Sequence, residues 1–134
     1  MKKEPRFLQV SDIQKIHARM IADFGGTCEL RDKGLLESAA GMPSAQFGGQ
    51  YLHDGFAAMA AAYLFHICKN HAFVDGNKRT ALTSAELFLE LNGYTFAASN
   101  DEMVEITLGV ADSTISKDEL TKMLKKIVKP IRKK

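Results

Sequence analysis

The chain has 134 residues, 46% of them hydrophobic and 25% charged, which suits one soluble domain of residues 1–134 with a real core. Its net charge of +2 hides an asymmetry: residues 1–120 hold all 16 acidic side chains against eleven basic ones, and residues 121–134 hold seven basic residues and no acid. An acidic body with a basic tail argues against a nucleic-acid surface, the apolar run Phe56 to Cys68 is too short to cross a membrane, and no apolar signal segment follows Met1-Lys2-Lys3-Glu4-Pro5-Arg6.

Phe7 to Val10 reads as a short strand. Ser11 then predicts a helix start, with Gln14 three residues later, and Ile13, Ile16, His17, Met20, Ile21 and Phe24 recur at helical spacing until Gly25-Gly26. A second helix is predicted from Asp32 to about Ala40, before Gly41-Met42-Pro43. Ser44 to Gly55, with Phe47-Gly48-Gly49-Gln50-Tyr51, has the composition of a mobile loop or a small hairpin.

Asp54 to Lys69 is apolar on nearly every side, as expected of a central helix. The next helix opens near Gly76–Lys78 and closes at Asn92-Gly93. Tyr94 to Ala98 reads as a second short strand, a candidate partner for Phe7–Val10. Ser99-x-x-Glu102 and Ser116-x-x-Glu119 are capping boxes that predict helices over 100–112 and 117–129, the latter stopped by Pro130. About six helices with a small hairpin or flap make a mainly α bundle. Cys28 and Cys68 form no CxxC and no metal cluster; a reducing cytoplasm suits them, and a disulfide is allowed but not required.

Between the central helix and its successor lies His71-Ala72-Phe73-Val74-Asp75-Gly76-Asn77-Lys78-Arg79. A helix N-terminus offers unpaired N–H groups and a positive dipole end to an anion. Gly76 allows close backbone approach, and Lys78 and Arg79 add positive charge. Asp75 can hold Mg²⁺, which keeps few protein ligands when it also binds phosphates. Histidine is the one side chain whose unperturbed pKa lies near neutrality, so His71 suits a general base. Together these groups can bind a nucleotide phosphate and deprotonate a hydroxyl. Taken singly, Asp75 or Asn77 is equally well an N-cap, Lys78 and Arg79 are solvated surface, and His71 is a structural loop histidine. Phe73 is an apolar anchor for the loop. The P-loop pattern G-x-x-x-x-G-K-[ST] is absent.

The segment resembles the Fic/Doc signature, H-x-F-x-[DE]-G-N-G-R in Fic enzymes and H-x-F-x-[DN]-[AG]-N-K-R in the Doc branch. Phe24-Gly25-Gly26, Arg31-Asp32-x-Gly34-Leu35-Leu36-Glu37-Ser38-Ala39, Phe47-Gly48-Gly49 and Thr80-Ala81-Leu82-x-Ser84-Ala85 extend the likeness to Doc-like toxins of toxin–antitoxin pairs. Two departures from the Fic pattern stand out. Lys78 occupies a Gly position, and Leu82 stands where a second Arg usually follows. The resemblance therefore implies a Doc-type kinase that uses ATP and Mg²⁺ and transfers the γ-phosphate, with AMP transfer as the alternative.

Carried over by position, His71 is the base, Phe73 anchors the loop, and Asp75 binds Mg²⁺ or orients the acceptor. Gly76 and Asn77 help form the anion hole, Lys78 and Arg79 hold phosphates, and Lys69 adds a further phosphate contact. Ser44 to Gln50 falls at the family's target-docking flap. The implied substrate is translation elongation factor Tu, and the implied result is growth arrest in the cytoplasm. The inhibitory pattern [ST]-x-x-x-E-[GN] is absent from the chain, which implies inhibition in trans by an antitoxin. A catalytically idle antitoxin-binding module is the reading from a different class. For the run Lys122 to Lys134, a solvated helix face plus a frayed tail is the plain expectation, against contact with an acidic antitoxin, the ribosome or RNA.

Overall fold

A computed structural model describes residues 4–132. Its elements in chain order are α1 (Val10–Phe24), α2 (Lys33–Gly41), β1 (Gln46–Phe47), β2 (Gln50–Tyr51), α3 (Phe56–Asn70), α4 (Asn77–Leu91), β3 (Tyr94–Phe96), α5 (Asn100–Ala111), α6 (Lys117–Ile127) and β4 (Val128–Pro130). The expected mainly α bundle with a small hairpin is what the chain forms.

Helix α3 is the axis of the molecule, packed by α2, α4, α5 and α6. Ala60, Ala61 and Ala62 are fully buried, as are Tyr63 and Leu64. Small side chains let neighbouring backbones approach, and no polar face is needed where every side is covered. Phe88 and Leu89 from α4, Val110 from α5, and Leu120 and Leu124 from α6 complete the core. Among the described residues no helix is long and apolar enough to cross a membrane. Cys28 is exposed, Cys68 is buried, and both are free thiols.

Both capping boxes form. Ser99 Oγ accepts from Glu102 N at 3.1 Å while Glu102 Oε1 accepts from Ser99 N at 2.9 Å. Ser116 and Glu119 repeat the arrangement at 3.1 and 2.9 Å. At α2 the expected Asp32 is the N-cap, its Oδ1 accepting from Leu35 N at 2.9 Å. The glycine-rich stretch is a hairpin: Gln46 pairs with Tyr51 and Phe47 with Gln50, and Gly48 and Gly49 carry the positive φ values of a tight two-residue turn.

Three local expectations are corrected. Phe7–Val10 is not a strand, because its backbone is satisfied by side chains instead. Tyr63 Oη accepts from Leu8 N at 2.7 Å, and Asn92 brackets Arg6 through both its main-chain groups. The helix then begins at Val10 rather than after Ser11, with Asp12 Oδ2 accepting from Gln9 N at 2.7 Å. Finally, β3 pairs with the C-terminal β4, not with Phe7–Val10: Tyr94 faces Pro130, Thr95 faces Lys129, and Phe96 faces Val128. Helix α6 therefore ends at Ile127, ahead of Pro130, and Val128 is already extended. The segment expected to fray is tied down as far as Ile131, whose N–H donates to Gly93 O at 2.9 Å. Residues 133–134 of the basic run lie outside the described residues. Lys122, Lys125, Lys126 and Lys129 are exposed, as a solvated face requires.

Candidate active site

The loop 71–76 joins the C-terminus of α3 to the N-terminus of α4. His71 ends α3 in the left-handed region at φ 50°, a conformation that is uncommon outside glycine. The helix end is capped from outside by Arg31. Its Nε donates to His71 O at 2.7 Å and its guanidinium also reaches Asn70 O at 3.2 Å. The Arg31 and Asp32 amides both donate to Ala72 O, Leu30 and Phe73 form a single β-bridge, and Val74 N donates to Glu29 O. The backbone carrying His71 is thus held by the segment before α2, while the His71 side chain is exposed.

Phe73 is buried and anchors the loop from below. Asn77 clips the loop from above: its Nδ2 donates to Phe73 O at 2.8 Å and its Oδ1 accepts from Phe73 N at 3.1 Å. Both ends of that buried amide are therefore engaged within the loop. What Asn77 offers an anion is its main-chain N–H.

Sequence reading placed His17 only on the apolar face of α1. In the fold it is buried, its ring stacked on Phe73 with centroids 3.6 Å apart and planes 8° apart. Its Nε2 lies 2.7 Å from Asp75 O. A carbonyl can only accept, so Nε2 carries the proton and donates. A buried polar side chain at the spacing of an apolar stripe is the only trace of this role in the sequence.

Asp75 is exposed, with Oδ2 accepting from Thr27 N at 2.9 Å. Gly26 packs against it; a Cβ there would come within 3.0 Å of Asp75 Cβ. Gly76 has φ +81°, and a Cβ on it would meet Ile21 Cδ1 at 3.2 Å. Both the backbone angle and the close approach of α1 require glycine at this corner.

Gly76 is the N-cap of α4 and supplies no side-chain cap. The first backbone bond into the helix is Thr80 N to Gly76 O, so the amides of Asn77, Lys78 and Arg79 have no acceptor among the described residues. Lys78 and Arg79 are exposed beside them, and the Arg79 guanidinium lies 4.2 Å from the centroid of the Phe24 ring. Lys69 turns to the α5–α6 corner, where its Nζ donates to Ser113 Oγ. That contact directs Lys69 away from the groups of the loop; burial pushes the neighbouring Cys68 thiol upward, and the positive charges of Lys78 and Lys69 partly oppose that shift.

The structure thus gathers His71, Asp75, Gly76, Lys78 and Arg79 on one exposed corner over an open helix N-terminus. Among the described residues no three His, Cys, Asp or Glu side chains are grouped to hold a metal. One free carboxylate oxygen beside an open helix N-terminus suits Mg²⁺, which takes most of its ligands from phosphates and water.

The family model described as "Fic/DOC family" matches residues 7–89, which include α1, the loop and most of α4. "Protein kinase doc" of Escherichia phage P1 is 32% identical over 122 residues, 91% of this chain and 95% of that protein. "Toxin Doc" of Mycolicibacterium smegmatis is 45% identical over 78 residues, 58% of this chain; the match spans 60% of that relative's length. With its signature loop seated at the N-terminus of α4, the chain belongs to the Fic/DOC family.

Proposed function

We propose that this protein is a Doc-type toxin kinase. It transfers the γ-phosphate of ATP to a protein hydroxyl in the cytoplasm, arrests growth, and is restrained by an antitoxin bound in trans. Elongation factor Tu is the proposed target. The observation that carries the reading is the uncapped α4 N-terminus, flanked by Lys78 and Arg79 and preceded by His71 on a rigidly held backbone. The printed names of the two relatives, a toxin and a protein kinase, point the same way.

In this mechanism the amides of residues 77–79, with Lys78 and Arg79, bind phosphate oxygens and offset the charge that spreads over them during transfer. His71, as neutral imidazole, takes the proton of the acceptor hydroxyl. The acceptor oxygen forms a bond to the γ-phosphorus, the bond from that phosphorus to the β–γ bridging oxygen breaks, and ADP leaves. Asp75 would hold a bound Mg²⁺, which supplies further charge neutralisation. The side chains of His17 and Asn77 do no chemistry; they hold the loop so that His71 and the amides keep their relation.

Leu82 supports γ- over α-phosphate transfer. It is 8% exposed and part of the core, so no cation stands one turn beyond Lys78 to hold the remaining phosphates of an AMP donor. The test is incubation with a cell lysate and ATP labelled separately at the α and γ positions, followed by mass spectrometry. A modified protein heavier by about 80 Da, one phosphoryl group, is expected. Label from the α position, with a gain of about 329 Da, would replace kinase by AMP transferase on the same site. No modification of any protein would favour the idle antitoxin-binding module.

A further inference from the structure

Phe24 is the last residue of α1 and is 59% exposed, outside the hydrophobic core to which the other aromatics of this region belong. A large apolar ring left in water at a helix end contributes little to folding. Its contact is with a cation: the Arg79 guanidinium sits 4.2 Å from the ring centroid. Arg79 has no carboxylate partner, the ion pair among the described residues being Arg19 with Asp23. Immediately after Phe24, Gly25 and Gly26 turn the chain at φ 92° and 109°, and Thr27 N then reaches Asp75 Oδ2. One segment of four residues therefore touches both sides of the candidate site, Arg79 through Phe24 and Asp75 through Thr27.

We infer that Phe24 is a positioning residue for phosphate binding, its ring holding the Arg79 guanidinium at the open N-terminus of α4. This rests on the phosphate reading of that site. A guanidinium over an aromatic face is held through its π plane, and its in-plane N–H donors stay free for a phosphate. An exposed arginine otherwise samples many rotamers, and ordering it in advance lowers the cost of binding. A carboxylate partner would order Arg79 equally well but would compete with the phosphate for the same donors. An aromatic ring orders it without competing.

The experiment measures binding of ATP and of tripolyphosphate, each with Mg²⁺, to the full chain by calorimetry. The variants are Phe24→Leu, Phe24→Tyr and Arg79→Ala, together with Phe24→Leu in the Arg79→Ala background. Phe24→Leu should weaken both ligands by the same factor, about two- to fivefold. Phe24→Tyr should bind like the wild type, and Phe24→Leu should cost nothing further once Arg79 is alanine. A loss confined to ATP would make Phe24 a platform for the base and overturn the inference. An undiminished loss in the Arg79→Ala background would also overturn it, because the ring would then act on something else. If Arg79→Ala weakens binding and Phe24→Leu does not, the inference fails and the phosphate site stands. If the wild type binds neither ligand, both fail. Melting curves of Phe24→Leu, expected to match the wild type, separate these outcomes from misfolding.

Discussion

Three helices in this molecule begin after a sharp turn, and they treat their first amides in opposite ways. Helices α5 and α6 close theirs with Ser99/Glu102 and Ser116/Glu119, and place Asp101, Glu102, Asp118 and Glu119 against the positive end of the dipole. Hydrogen bonds from the Ser99 and Ser116 backbones, then from their side chains, hold the Glu102 and Glu119 carboxyls below the usual range. Helix α4 does the reverse. Its N-cap is a glycine, its first turn contains no acid, and Lys78 and Arg79 sit where the dipole disfavours cations. Each misplaced cation costs about 0.3–1 kcal/mol at an exposed site, a cost that an incoming anion cancels. Two of these helix ends are closed by side chains, and the third is left open, where the proposed mechanism seats a phosphate.

The contrast is open to attack from both sides. The largest effect should come from His71→Ala, which removes the proposed base while leaving its main-chain bond to Arg31 in place. Transfer should slow by ~10²–10⁴ with the melting temperature unchanged. Equal activity in the variant would mean that the base lies elsewhere. Next in size, Lys78→Ala and Arg79→Ala should each slow transfer by roughly 10- to 100-fold and weaken ATP binding, again without loss of stability. Unaltered kinetics in both would mean that the open helix end is not the phosphate site.

At the capped ends the roles should invert. Ser99→Ala and Ser116→Ala should each lower stability by about 0.5–2 kcal/mol in denaturant titrations and leave transfer unchanged. A variant that loses activity at wild-type stability would blur the distinction drawn here.

The smallest effect is on pH. Burial, and after it the charges of Lys117 and His53, lower the His66 pKa from 6.5 to about 4, and Lys117 Nζ donates to its Nε2 at 2.9 Å. The unfolded chain takes up this proton at higher pH than the folded one. The stabilisation from neutral His66 is therefore complete above about pH 6.5 and is lost as pH falls toward 4. Glu102 and Glu119 add a second loss in the same direction, present above their ordinary 4.5 and lost as pH falls through their lowered values. Melting temperature should fall in two stages as pH drops, the first between about pH 6.5 and 4 from His66 and the second below about pH 4.5 from the two glutamates. His66→Gln should flatten the upper stage and Glu102→Gln the lower; a profile unmoved by either would contradict the assignment.

What could be read in advance depended on how local the signal was. Capping boxes span four residues, so both were visible in the sequence and both form. The loop from His71 to Arg79 is contiguous, so its groups could be named together before their geometry was known. Pairings between distant segments left no such trace. Nothing near Tyr94 says that its partner is Val128–Pro130, because a basic run ending in proline looks like a fraying helix. Phe7–Val10 has strand composition, yet Tyr63 takes up the Leu8 N–H from 55 residues away, and Asn92 holds the adjoining Arg6 from 86 residues away. Side-chain roles inside the site were equally hidden. The sequence places Asn77 at the anion hole without showing that its side-chain amide is clipped to Phe73, and His17 reads as one more member of an apolar stripe.

The most direct test of the open helix end follows the backbone amides of ¹⁵N-labelled protein by NMR as Mg²⁺–ATP is added. The largest shifts are expected on Asn77, Lys78 and Arg79, with those of Asn100–Glu102 and Lys117–Glu119 little moved, because Glu102 N and Glu119 N are already bound to the Ser99 and Ser116 hydroxyls and the acidic side chains in those first turns repel an anion. Shifts spread equally over all three helix ends, or absent at α4, would contradict this expectation.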